Sequence, residues 1–258
     1  MRILLANDDG IHAEGIHVLK RVAGDFGEAL AVAPDGERSA CSHAITLTRA
    51  LRARPWPSKE NPFGFAVDGM PVDCVKLGVS GAFGPPPELV LSGINLGPNA
   101  GISVLYSGTV GVASEGAISG IPAIAFSLAT FENPLWETAE AVARTVLAAY
   151  AAGNLAVPAG TFLNVNIPNL PLGELKGFAA TRMGASRFVE TYERRLDPWG
   201  NPYFWMSGEL VSLGDDAGTD LGALRNGFVS VSPIGLDLTV AAEGDALARA
   251  LAALPPLA

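Results

Sequence analysis

Residues 2–10 read Arg2-Ile3-Leu4-Leu5-Ala6-Asn7-Asp8-Asp9-Gly10, a short apolar run that stops at two adjacent carboxylates and a glycine. The run reads as a buried strand, with both acids at its exit. Residues 14–26 then carry Ile16, Leu19, Val22, Ala23 and Phe26 at helical spacing. Residues 28–33 form a second apolar run, closed by Pro34-Asp35-Gly36. Strand, helix and strand in that order make a β-α-β unit, which favours a parallel sheet. The fold class is therefore α/β, with a mostly parallel sheet flanked by helices.

The alternation continues outward. Residues 44–53 alternate like a strand or a hairpin arm, 55–63 carry three prolines and read as a loop, and 72–80 read as a short helix. Strands are expected over 88–92, 123–127 and 162–167, a helix rich in small residues over 109–119, and a long helix over 136–152 ended by Gly153. The pattern then changes. Residues 175–212 hold more aromatic and β-forming residues, and Asp197-Pro198-Trp199-Gly200-Asn201-Pro202 is a turn signal. The spacing predicts a protruding β-hairpin over 187–209. With Phe188, Tyr192, Trp199, Tyr203, Phe204 and Trp205 on it, the hairpin is too apolar to stand in water. It is expected to pack on another subunit, the alternative being its own domain. A strand over 228–232 and a helix over 245–254 follow. The chain reads as one domain, 1–258, with a core over about 1–170 and a hairpin and C-terminal oligomerisation region over about 171–258.

Composition narrows the function classes. Hydrophobic residues make up 49% and charged residues 17%, which argues against disorder. A net charge of −9 repels polyanions and argues against a nucleic-acid groove. A small phosphorylated ligand stays admissible where a metal neutralises it. Cys41 and Cys74 match no zinc or disulfide spacing and read as reduced thiols of a cytoplasmic protein. A strand beginning at residue 2 leaves no signal peptide to expect, and the longest apolar run, 118–129, is broken by Gly120 and Pro122. No membrane span is expected. Three histidines (His12, His17 and His43) exclude a His-rich metal centre, and a Ser-His-Asp triad would have to use one of them without a Gly-x-Ser-x-Gly elbow.

Four segments carry chemistry, and three of them follow strands, where ligands of open α/β sheets bind. Asp8 and Asp9 set two like charges side by side, and a hard cation resolves that conflict because oxygen ligands suit it. A plain turn with a helix cap is the competing reading. Residues 33–43 offer the hydroxyls of Ser39 and Ser42 and the imidazole of His43, or else form only a polar loop. Residues 91–101 offer the amides of Asn95 and Asn99 on a glycine-rich turn. Tyr106-Ser107-Gly108-Thr109-Val110-Gly111 opens a helix whose free N–H groups favour an anion. Ser107 and Thr109 add hydroxyls there, or serve only as an N-cap. No Gly-Lys-Ser/Thr follows, so this is not a Walker loop. Together the four segments form an oxygen-rich shell for Mg²⁺ or Mn²⁺ beside a phosphate cradle.

These segments resemble the SurE family of metal-dependent 5′/3′-nucleotidases. The resemblance runs through Asn7-Asp8-Asp9-Gly10, Ala33-Pro34 with Ser39, His43-Ala44-Ile45-Thr46, Pro71-Val72-Asp73-Cys74-Val75, and Leu91-Ser92-Gly93-Ile94-Asn95 with Gly97 and Asn99. It continues in Tyr106 to Gly111, Leu163-Asn164-Val165-Asn166-Ile167-Pro168 and Gly227-Phe228-Val229-Ser230-Val231-Ser232-Pro233. The resemblance implies one divalent ion per subunit, Mg²⁺ or Mn²⁺, held by Asp8, Asp9, Ser39 and Asn95. It implies phosphate contacts from Ser107, Gly108 and Thr109, with Asn99 and His43 beside the substrate. The substrates implied are nucleoside monophosphates, with short polyphosphate for some members. The fold implied is a Rossmann-like core whose protruding hairpin and exchanged C-terminal arm build a homodimer or homotetramer. Met70 stands where a threonine is expected, which bears on substrate preference.

The expected reaction is hydrolysis of a phosphomonoester. Asp8 or Asp9 would orient or deprotonate the water, and His43 or His12 would protonate the leaving alkoxide. Two rivals are weighed. An aspartyl-phosphate phosphatase of the haloacid-dehalogenase type needs Asp-x-Asp, and here the acids are adjacent. A non-catalytic switch of the receiver type needs an aspartate after the third strand, where Asn95 stands, while a metal- or nucleotide-binding sensor without turnover stays open.

Overall fold

The computed structural model describes residues 1–60, 62–214, 216–240, 244–252 and 254. In chain order the first elements are β1 (Arg2–Ala6), α1 (Glu14–Ala23), β2 (Glu28–Pro34), β3 (Ala53–Trp56), β4 (Gly64–Val67), α2 (Pro71–Val79) and β5 (Leu89–Leu96). A 3₁₀ turn (Gly101–Leu105) leads into α3 (Gly108–Ile118), β6 (Ala123–Ala129), α4 (Trp136–Ala151) and β7 (Thr161–Pro168). Then come β8 (Phe178–Ala180), β9 (Ser186–Leu196), β10 (Pro202–Ser212), α5 (Asp220–Arg225), β11 (Val229–Gly235) and α6 (Gly244–Ala252).

β1 lies inside a nine-stranded sheet of order β3-β4-β2-β1-β5-β6-β7-β11-β8. The run from β4 to β7 is parallel. Antiparallel β3 closes one edge, and β11, antiparallel to β7, carries β8 at the other. Side chains along β1 alternate between two layers. Ile3 and Leu5 pack with Ile16 and Leu19 of α1 and Val146 and Leu147 of α4. Leu4 and Ala6 pack with Cys74 and Val75 of α2 and Val112 and Ala113 of α3. Helices on both faces explain why the strand is apolar throughout rather than alternating. The chain runs outward from β1 to β2 and β4, then returns to the other side of β1 for β5. That reversal leaves a crevice between the carboxyl ends of β1 and β5, the switch point at which such sheets bind ligands.

Several segments depart from the sequence expectation, α5 among them. Residues 44–52 form no strand. The Asp73 carboxylate accepts the Thr46 N–H at 3.0 Å, and the Asp68 carboxylate accepts the Arg52 N–H at 2.8 Å. Side chains take the backbone donors that a ladder would have used. β3 starts at the end of the expected strand and runs into the first two residues of the expected proline loop, where an edge strand tolerates Pro55. β4 has four residues, too few for a period to show.

The hairpin is present as β9 and β10, paired from Ser186–Ser212 to Leu196–Pro202 as a separate two-stranded sheet. Its turn is closed by the Asp197 carboxylate, which accepts the N–H groups of Trp199 and Asn201. Tyr192, Phe204 and Met206 share one face and are all more than half exposed. α6 (Gly244–Ala252) overlaps the helix expected over 245–254 and starts one residue earlier; position 253 of that span lies outside the described residues.

Candidate active site

The chain leaves β1 and turns at once. Asn7 is fully buried, and its amide donates to the Gly10 carbonyl at 3.0 Å. The turn drives Asp8 inward, to 5% exposure, against the start of α3. The Thr109 hydroxyl donates to the Asp8 carboxylate and lies 3.2 Å from the Asn95 side-chain oxygen. The backbone N–H groups of Gly108 and Thr109 also lean on Asp8. The anion at this helix N-terminus is thus Asp8 itself. Glycine is required at 108: a Cβ there would lie 2.7 Å from the Asp8 Cβ and 2.8 Å from the Cys41 sulfur. Ser107 is the N-cap of α3, its oxygen accepting the Val110 N–H at 3.1 Å.

Asn95 reaches the same place through an irregularity in β5. The register with β6 slips between Ser92 and Asn95, and Gly93 sits at φ +107 with its missing Cβ directed at the Phe126 carbonyl. A bulge re-aims the residues after it. The Asn95 amide nitrogen donates to the Gly97 carbonyl at 2.7 Å, which turns the amide oxygen towards Thr109. The loop after β2 is strapped across from the other side. Its Arg38 N–H donates to the Asp8 carbonyl at 2.7 Å, and its Ser42 N–H to the Tyr106 carbonyl at 2.9 Å. Ser39 lies between these anchors, its hydroxyl on Glu37 at 2.5 Å.

Asp8, Asp9, Ser39, Asn95, Asn99 and Ser107 line one open cleft of about 440 Å³, within the range of small-molecule sites. Gly108 and Thr109 stand behind Asp8. Asn99 is held rigidly: its amide nitrogen donates to Ser127, its N–H donates to Asn166, and its carbonyl accepts from both Asn164 and Asn166. His43 is not brought to the cleft. Its Nε2 lies 2.9 Å from Glu115, whose other oxygen holds the Lys76 ammonium at 2.6 Å. It faces a neighbouring cavity that shares Ser107 as a wall. His12 stands edge-on against Trp56, and neither it nor Met70 lines the cleft.

The electrostatics are unfavourable by construction. Burial pushes the Asp8 carboxyl up, against the hydrogen bonds from Thr109 and the helix start. Burial and the neighbouring Asp8 charge push Asp9 up to about 7, against a hydrogen bond from the Leu96 N–H. Among the described residues no lysine, arginine or histidine lines the cleft, so no side-chain cation relieves the pair. Nor do three or more His, Cys, Asp or Glu side chains gather to hold a metal there. The available donors are two carboxylates and the neutral oxygens of Ser39 and Asn95, an all-oxygen set. That chemistry fits Mg²⁺ or Mn²⁺ rather than zinc.

Sequence reasoning missed several residues of this region. Glu37 and Tyr106 stood in segments already singled out, but Phe131, which also lines the cleft, gave no local signal. Asp220 lies fully buried far along the chain. Its carboxylate accepts the N–H groups of Gly101 and Gly184, tying the 3₁₀ turn before Ser107 to the root of the hairpin.

Comparison with known proteins identifies the relatives of this chain. The family model described as "Survival protein SurE" matches residues 3–190. A 5′-nucleotidase SurE of Pelotomaculum thermopropionicum is 47% identical over 241 residues, 93% of this chain and 91% of that one. A 5′-nucleotidase SurE of Moorella thermoacetica is 45% identical over 260 residues, covering 99% and 98%. Among solved structures, the SurE protein of Aquifex aeolicus superposes with a TM-score of 0.83 at 39% identity, covering 97% of this chain and 100% of that one.

Proposed function

The chain belongs to the SurE family, and from that premise we propose that it is a divalent-metal-dependent nucleotidase, a hydrolase of nucleoside 5′- and 3′-monophosphates and of short polyphosphate. The observation that carries the reading is the mutually repelling Asp8–Asp9 pair, one carboxylate buried and one half-buried, set at the β1–β5 switch point in a cleft without a side-chain cation. Relatives named 5′-nucleotidases support the substrate class.

In this reading Asp8, Asp9, Ser39 and Asn95 hold one Mg²⁺ or Mn²⁺ per subunit. The ion, when bound, supplies Lewis-acid charge neutralisation and lowers the pKa of a coordinated water. The protein's own groups do the rest. Thr109 and the first N–H groups of α3 hold Asp8 in one orientation. Ser107 lines the cleft and offers its hydroxyl to the phosphoryl oxygens, while Gly108 and Thr109 act through Asp8. Asn99 is a rigid wall. His43 is committed to Glu115, so the leaving alkoxide takes its proton from water rather than from an imidazole. The test is phosphate release from AMP and GMP with Mn²⁺ or Mg²⁺, against a chelator control. Full activity in the chelator overturns the metal-dependent scheme.

Thr109→Val removes the hydroxyl between Asp8 and Asn95 while keeping the shape of the side chain. Loss of such a supporting hydrogen bond costs about 10–100-fold in metal affinity or turnover. A cation titration read by phosphate release is expected to shift by that amount, and an unshifted curve removes Thr109 from the scheme.

The reading extends to assembly and setting. Among the described residues no helix is long and apolar enough to cross a membrane. We place the protein in the cytoplasm, apart from nucleic-acid polymers, as a homodimer or homotetramer joined through the hairpin. The region over about 171–258 then serves oligomerisation within one domain. Tyr192→Glu with Phe204→Glu puts two charges on one hairpin face and is expected to give sedimentation of the 26.6 kDa chain alone. An unchanged assembly moves the interface elsewhere.

A further inference from the structure

We propose that Tyr106 and Phe131 form a stacking clamp for the nucleobase, so that the site reads a base by its ring face and accepts all four bases. The inference rests on the phosphomonoesterase reading above and concerns the same cleft. Tyr106 is 58% and Phe131 76% exposed, although both line the cleft that holds Asp8 and Asp9. They come from different walls. Tyr106 ends the 3₁₀ turn before α3, with its carbonyl bonded to Ser42 of the loop after β2. Phe131 follows β6, and its ring rests on Gly97 after β5. A Cβ at Gly97 would lie 2.5 Å from that ring, and Gly97 sits at φ +115. The Tyr106 backbone is anchored, the Phe131 ring is seated on Gly97, and both ring surfaces stay open.

What else lines the cleft decides how a base is recognised. Base edges are read by amides, carboxylates, hydroxyls or cations, and most such groups here are already engaged. The Asn95 amide nitrogen is taken by Gly97 and that of Asn99 by Ser127. The Glu37 carboxylate carries the Ser39 hydroxyl. No lysine, arginine or histidine is present among the described lining residues. The hydroxyls of Ser103, Tyr106 and Ser107 remain, and a hydroxyl, donor and acceptor at once, suits any base or the ribose. Ring surface is left as the recognition element, and stacking tolerates every base because each has a π-face.

The experiment compares kcat/KM for AMP, GMP, CMP and UMP with that for ribose 5-phosphate, which keeps the sugar and phosphate and lacks the base. Tyr106→Ala and Phe131→Ala are each expected to reduce the preference for nucleotide over ribose 5-phosphate by about tenfold, through KM. The reduction is expected for all four bases, and Tyr106→Phe restores the preference. An unchanged preference, a loss confined to one base, or a changed sedimentation without a change in KM overturns the clamp. If the wild-type protein releases phosphate from none of these substrates, the hydrolase reading fails separately. Calorimetric AMP affinity in Mn²⁺ then tests the clamp alone. It must fall about tenfold in each alanine variant, and equal affinities reject the clamp.

Discussion

Asp8→Asn is expected to reduce phosphate release by at least about 10³-fold, the order of several kcal/mol of lost electrostatic stabilisation, without unfolding the protein. The two halves of this expectation have one cause. Asp8 is almost wholly buried, and burial raises its pKa, so its charge is unfavourable in the cation-free fold. Asparagine keeps an oxygen for the Thr109 hydroxyl and the Gly108 and Thr109 N–H groups, with the same shape. It removes the charge that the cation requires. Activity should collapse while the melting temperature in chelator holds or rises, the exchange of stability for function expected of a site residue. Phosphate release and thermal unfolding on the same preparation check both halves. Activity above a tenth of wild type, or a large drop in melting temperature, rejects the role given to Asp8.

Much of this site was legible because of how parallel sheets are built. Strands covered on both faces are continuous apolar runs, so β1, β2, β5 and β6 show plainly. Once the strands are parallel, the loops that follow them must emerge at one edge. Asp8, Ser39 and Asn95, far apart in sequence, then converge with no further information. What stayed hidden depended on partners that no local pattern names. His43 carries a reactive side-chain type, but Glu115 and Lys76, 72 and 39 residues apart from their partners, decide what it does. Residues 44–52 alternate like a strand, yet Asp68 and Asp73 claim their N–H groups. Phe131 is one aromatic in a loop, and only the packing on Gly97 brings its ring to the cleft. The helix start before α3 signals an anion. That its resident anion is Asp8 follows only from the close approach that glycine at 108 permits.

Cation binding is expected to strengthen by about tenfold per pH unit as the carboxylates ionise, levelling off above about pH 7. The sign follows from Asp9, which moves from 3.8 in an open chain to about 7 in the fold. Between those values the folded chain holds a proton that the unfolded chain has released. Stability without cation is therefore fully present below about pH 4 and falls as pH rises through about 7, where the folded carboxylate ionises beside Asp8. Asp8 is raised as well and adds to the same trend. A divalent cation binds the ionised pair and must displace those protons, so its affinity moves in the opposite direction to the stability of the empty fold. The rise in melting temperature on adding Mn²⁺ should be larger at about pH 8 than at about pH 6. Asp9→Asn should flatten the cation-free slope while leaving the fold intact. Cation affinity independent of pH between about 5.5 and 7.5, or a cation-free protein that grows more stable over that range, contradicts the linkage. Either result would mean that the two carboxylates are relieved by something other than a bound ion, which removes the physical reason for placing one there.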